Sequence, residues 1–288
     1  MSLVTPLDPG TPRRADPAAS RLEVRESVHA TLFGRIVSAV ASSCGPVHAI
    51  NEDAHSPIDR SGILYVVADG VGGGALAAMA SRRLVAHLHA ALEVEGVGED
   101  SVCQAMLDAD RAIADSIAQV TDAPGAATVA LCAPVNLTAS RWLVAWVGDC
   151  RVYRLADGEG RALDALTVDD TFDHLDETPP PGSTPDDPAR MVGNGAVVRP
   201  NVALAELGPG DLLVACSDGV HKHVRPEEWH RVLRRPTALA QRCEDLINLA
   251  RANGSIDDAT VLLVQRSGLG VPKLPWVNRR ASGNGASR

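Results

Sequence analysis

Lysine is nearly missing from this chain of 288 residues. Lys222 and Lys273 are the only lysines, and the rest of the 27 basic residues are arginine. That bias reads as genome composition rather than chemistry. No apolar run approaches the roughly 20 residues that a membrane span needs. The N-terminal stretch MSLVTPLDPGTPRRADPAAS has no apolar core of a secretory signal. Basic excess is absent too: net charge is −9 and the pI is about 5.4. Nucleic acid and anionic membrane are therefore poor partners, because both select a basic footprint. The six cysteines, Cys44, Cys103, Cys132, Cys150, Cys216 and Cys243, never pair as C-x-x-C. They read as reduced core residues of a cytoplasmic protein, not a disulfide framework or a zinc site.

What is present suits a globular core, with 45% hydrophobic residues. Residues 1–28 are rich in Pro, Asp, Arg and Ala and lack periodicity, so disorder is expected there. Residues 267–288 read as a flexible tail. Between them, FGRIVSAVAS, GILYVVADG, ATVALCAPV, RWLVAWVGD, CRVYRLA, DLLVACSDG and ATVLLVQR are bounded apolar runs that predict strands. Met79, Leu84, Val85, Leu88 and Leu92 fit a 3.6-residue period and predict a helix from about Ala75 to Leu92. A second helix is expected over about Ser101–Val120, and two more over Pro226–Leu233 and Thr237–Ala252. Pro226 suits a first helical turn. Residues 164–201, with ETPPPGSTPDDP, form a long irregular excursion, a kind of segment that is usually functional or mobile.

The aspartates fall at strand boundaries. Asp69 follows ILYVVA, Asp149 follows LVAWVG, Asp218 follows LLVACS, Asp257 and Asp258 precede ATVLLV, and Glu52-Asp53 close VHAINE. Each alone has a plainer reading. Asp-Gly is a common turn dipeptide, so Asp69-Gly70 or Asp218-Gly219 could simply reverse the chain. Together they predict a rim where carboxylates converge. Such a cluster repels itself unless a cation neutralises it. Hard oxygen donors without His/Cys spacing point to Mg²⁺ or Mn²⁺.

The ordered set NEDA (51–54), ADGVGG (68–73), GAATVAL (125–131), VGDCRVYRL (147–155), LLVACSDGV (212–220) and DDATVLLV (257–264) resembles the metal-dependent Ser/Thr protein phosphatases of type 2C. The resemblance covers about Phe33 to Gln265. It implies an α+β fold, a sandwich of two antiparallel sheets with helices on both outer faces, over a catalytic domain of residues 29–266. It implies that Asp69 bridges two Mg²⁺ or Mn²⁺ ions, with Asp53, Asp218, Asp257 and the Gly70 carbonyl supplying further oxygens. Glu52 would orient water, Asp149 would help hold a weaker third ion, and residues 164–201 would form a flap. The implied reaction is hydrolysis of phosphoserine and phosphothreonine in proteins by an activated water. Its implied partners are a phosphorylated protein and an opposing bacterial Ser/Thr kinase, with a monomeric chain.

One position departs from the pattern. Three residues before the Asn of NED, family members usually carry an arginine that grips phosphate; here it is His48. Arginine binds bidentately and is always charged, whereas histidine titrates near neutrality. Three readings stay open. His48 binds the phosphate weakly, Arg151 or Arg35 takes over, or the domain mainly recognises a phosphoprotein with weak turnover.

Overall fold

The computed structural model describes residues 22–268, apart from 33, 60–63, 122, 124, 159–161 and 198. Among the described residues the chain forms two antiparallel sheets. One runs in the order β1 (Glu23–Thr31), β2 (Gly34–Ser43), β11 (Ala259–Gly268), β10 (Leu212–Cys216), β7 (Arg151–Leu155), β8 (Leu163–Ala165). The other runs β3 (Ala54–His55), β4 (Tyr65–Val71), β5 (Ala126–Pro134), β6 (Arg141–Val147), β9 (Asn201–Glu206).

The central strands are buried on both faces, so they read as near-continuous apolar runs rather than alternating ones. One face of each sheet meets the other sheet through Ile36, Val40, Val67, Val144, Leu213 and Leu262. Tyr65 and Trp142 stack there with ring centroids 6.0 Å apart. The outer face of the second sheet packs on α1 (Gly74–Glu95) and α2 (Glu99–Ala118) through Leu84, Leu88, Met106 and Ile113. The outer face of the first packs on α4 (Pro226–Leu233) and α5 (Leu239–Ala252) through Trp229, Leu246 and Ile247. The α3 helix (Asp218–His221) is a single turn. This is the expected helix–sheet–sheet–helix layering. Pro226 opens α4 as its residue type suggests, and Glu228 reaches back to the Arg225 backbone N–H at 3.1 Å.

Two expectations need correction. The chain is ordered as a strand from Glu23, within the stretch expected to be disordered to residue 28; residues 1–21 lie outside the described residues. In the charged sequence EVRESVHAT only Val24, Val28 and Ala30 are apolar. An edge strand needs few apolar residues, and charges protect its open edge. At the other end, Ser267 and Gly268 still belong to β11, and the rest of the expected tail lies outside the described residues. His48 lies in the loop between β2 and β3.

The register explains why distant aspartates share one rim. β4 and β6 both run antiparallel to β5, with Gly70 opposite Ala127 and Val147 opposite Val129. In the other sheet Cys216 lies opposite Val261, and Ser43 opposite Ala259. The ends of β2, β4, β6 and β10 and the starts of β3 and β11 therefore point the same way.

Candidate metal centre

Two Asp-Gly pairs build the floor of the rim, and neither is a left-handed turn. Gly70 and Gly219 both lack the positive φ that such a turn demands. Both are glycine because backbone approaches closely. A Cβ on Gly70 would collide with the Ala77 and Glu52 carbonyls, and one on Gly219 with the Asp258 carbonyl. The positive φ values belong instead to Gly72, Gly73 and Gly74, which turn the chain from β4 into α1.

Glu52 is held on several sides. Its carbonyl accepts Ser81 Oγ at 2.5 Å and Gly70 N at 3.2 Å. Its own N–H donates to Asp258 Oδ2 at 2.6 Å. Its carboxylate accepts the Gly74 N–H at 2.5 Å, at the start of α1. That helix has no acidic residue in its first turn and no side-chain cap, so Glu52 supplies both from a distance.

The carboxylates interact across the rim. Burial pushes Asp69 well up, and the charges of Asp53, Asp218, Asp149 and Asp257 push it further. Burial raises Asp53 to about 8, against the lowering effect of the Ser217 and Thr260 hydroxyls. Ser217 Oγ donates to Asp53 Oδ2 at 2.7 Å. Burial, with Asp218 as the next cause, also raises Asp149 to about 6, and the same two causes raise Asp257. Asp218 is the exception. Burial opposes its ionisation, but the Lys222 ammonium 2.8 Å away outweighs that and holds the carboxyl below its usual value.

Among the described residues no three His, Cys, Asp or Glu side chains draw together tightly enough to form a closed metal-holding group. The donor chemistry nevertheless suits a hard cation. Asp53 Oδ1 and Asp218 Oδ1 are buried without a hydrogen-bond partner. Such orphaned oxygens are costly unless a cation or donor meets them. The cysteines carry no matching chemistry. Burial pushes the Cys150 and Cys216 thiols up, away from the reactive thiolate.

Residues 43–256 match the family model described as protein phosphatase 2C. The chain belongs to that family. A Mycobacterium tuberculosis protein, serine/threonine protein phosphatase PstP, is 32% identical over 237 residues, covering 78% of this chain and 44% of PstP. This chain thus spans less than half the length of that relative. The crystal structure of M. tuberculosis PstP/Ppp superimposes with a TM-score of 0.69 at 28% identity, covering 81% of this chain and 99% of that one. The catalytic domain of PstP in complex with two manganese ions gives a TM-score of 0.66 at 27% identity, covering 85% of this chain and 99% of that one.

The sequence pattern names Asp258 without giving it a role in this 2C-family rim and does not single out Arg251. Asp258 accepts Gly45 N and Glu52 N, both at 2.6 Å, and faces His48 Nδ1 at 3.1 Å. Arg251 bonds the carbonyls of Ser43, Ser255 and Asp257, tying β2 to the loop that carries Asp257. Arg151 is engaged by Asp169 at 2.6 Å and by Tyr153, so it is not a spare phosphate ligand. Arg35 sits at the opposite end of β2, roughly 26 Å of strand from Ser43. The 164–201 excursion is irregular beyond β8 but anchored. Asp170 accepts Gly148 N and Asn201 Nδ2, and Asp110 on α2 accepts Gly193 N at 2.6 Å. The backbone partners of Asp258 and the Ser43 carbonyl bound by Arg251 lie more than 200 residues away in sequence, so no local signal announces them.

Proposed function

We propose that this chain hydrolyses phosphoserine and phosphothreonine in proteins, using two Mg²⁺ or Mn²⁺ ions. The pair of buried, partnerless oxygens on Asp53 and Asp218 is the observation that carries this reading. Asp53, Asp69, Asp218, Asp257 and the Gly70 carbonyl would hold the ions. Divalent ions there neutralise phosphate charge and activate water.

The chain's own residues do the positioning. Ser217 fixes Asp53 so that only Oδ1 is left free. Glu52, clamped at its backbone and at the α1 terminus, keeps its second carboxylate oxygen for orienting a water. Asp258 holds His48 at the rim, where the imidazole would face a phosphate bound nearby. Positioning and charge neutralisation account for most of phosphoryl-transfer catalysis, so no covalent nucleophile is required. Beside Gly72 a cleft of about 570 Å³, lined by Ile117, Ala126, Met191 and Gly193, offers space for residues flanking the phosphorylated one. Its Met191–Gly193 wall belongs to the 164–201 segment, which supports a flap role for that segment. The opposing partner would be a bacterial Ser/Thr kinase that phosphorylates the same protein.

The test is Mn²⁺-dependent release of phosphate from a phosphothreonine peptide and from p-nitrophenyl phosphate. Asp69→Asn should lose more than the roughly 100-fold that removing a supporting residue of a metal site costs. No Mn²⁺-dependent turnover, or an Asp69→Asn variant equal to wild type, would overturn the proposal. Tight phosphopeptide binding without turnover would instead support a recognition module, the reading that rests on His48.

A further inference from the structure

Lys222 is one of two lysines in a chain that otherwise uses arginine. Its Nζ stands 2.8 Å from Asp218 Oδ2 and 3.1 Å from Asp149 Oδ2. It bridges Asp218, which the type 2C resemblance gives to the two-ion centre, and Asp149, through which that resemblance would help hold a third ion. The geometry points to Lys222 as a resident cation that takes the place of a third divalent ion, leaving this centre with two.

The residue type fits the place. Asp149 is 2% exposed, and the room between it and Asp218 suits a compact point charge better than a planar guanidinium fork. An ammonium has three donors, and two of them are used here. The grip is built by local structure. Lys222 follows α3 and lies four residues after Asp218 on the same turn. The preceding residue fixes the other partner, since His221 Nε2 bonds the Asp149 carbonyl at 2.9 Å. Adjacent residues therefore hold Asp149 by backbone and by side chain. A dication entering between Asp149 and Asp218 would have to displace the ammonium or sit against it. Lys222 also occupies Asp218 Oδ2 and leaves Oδ1 as the free oxygen, so it positions Asp218 for the two-ion centre.

The inference rests on the two-ion reading above, and counting ions separates the two. The measurement is bound Mn²⁺ per chain by equilibrium dialysis and elemental analysis, on the full chain at saturating Mn²⁺. Wild type should hold two ions. Lys222→Met keeps the aliphatic stem without the charge and should hold three. Asp149→Asn in the Lys222→Met background should return the count to two. Lys222→Arg, which keeps the positive charge, should stay at two and covers the case in which Lys222→Met fails to fold. Three ions in wild type would overturn this inference alone. So would two in a folded Lys222→Met, or three in Lys222→Arg. Zero ions in wild type would overturn both this inference and the two-ion reading.

Discussion

The rim has two corners built by one local rule. At the end of β4, an apolar strand runs into Asp69-Gly70; at the end of β10, another runs into Asp218-Gly219. In both, glycine admits a neighbouring carbonyl rather than a left-handed turn. The electrostatics then diverge. Asp69 stands among four other carboxylates, and its ionisation is suppressed by burial and their charge. Asp218 has Lys222 beside it and stays ionised in the same crowd. The same dipeptide at the same place in a strand is thus a charge awaiting a counter-ion at one corner and a paired charge at the other. Backbone packing fixes where a carboxylate sits, while a single side chain four residues on decides what it costs to keep there.

The sharpest way to break this comparison is to neutralise each corner in turn. Asp69→Asn and Asp218→Asn should both remove Mn²⁺-dependent turnover, by more than about 100-fold. Their effects on the metal-stripped protein should have opposite signs. Asp69→Asn relieves repulsion and should raise Tm. Asp218→Asn removes the nearer of the two carboxylates that pair with Lys222 and should lower stability by about 1–2 kcal/mol, well short of a fully buried pair because Asp149 remains beside the ammonium and Lys222 is 37% exposed. Thermal melts after chelation read the sign directly. A shift in the same direction for both would mean that Lys222 does not set the corners apart.

Adjacent aspartates make the next contrast. Asp258 receives two backbone N–H groups, so Asp258→Ala leaves both unpaired and should cost about 2–5 kcal/mol in denaturant unfolding. Asp257 is half exposed, and Asp257→Ala should cost the metal-free protein under about 1 kcal/mol while weakening Mn²⁺ binding. Equal stability losses would refute the division of labour. Gly219→Ala forces the new Cβ into the Asp258 carbonyl and should destabilise by about 1–3 kcal/mol, seen as a lower Tm. An unchanged Tm would mean that the close approach is not needed.

Seven of the strands and four of the helices were legible because apolar runs and 3.6-residue periods are local patterns. β1, β3, β8 and β9, the edge strands of the two sheets, escaped because an edge strand is short or buries few side chains. The carboxylates were legible through the motif order, which placed Asp53, Asp69, Asp149, Asp218 and Asp257 at strand boundaries. Their supports were not. Asp258 accepts backbone N–H groups, and Arg251 reaches the Ser43 carbonyl, that only the fold brings near. Lys222 was visible as a compositional oddity and was read as bias, because its two partners lie 4 and 73 residues away and only the fold unites them.

The smallest expected effect concerns His48, the one departure at a position proposed to grip phosphate. Its Nδ1 lies 3.1 Å from Asp258 and 3.9 Å from Asp257, so the ring is oriented rather than loose. Arginine in its place would offer a bidentate fork, and His48→Arg should lower KM for a phosphothreonine peptide by up to about 10-fold with the Mn²⁺ requirement unchanged. Asp258 complicates this, since the fork could pair with that carboxylate instead of phosphate. Asp258→Asn, combined with His48→Arg, removes that competitor while keeping one of the two oxygens that accept from Gly45 and Glu52, since the amide nitrogen cannot accept. If KM falls only in the double variant, Asp258 holds the cation back. If it falls in neither, phosphate is gripped elsewhere, and Arg82, whose exposed guanidinium bonds the Asn51 carbonyl at 3.1 Å, becomes the residue to replace.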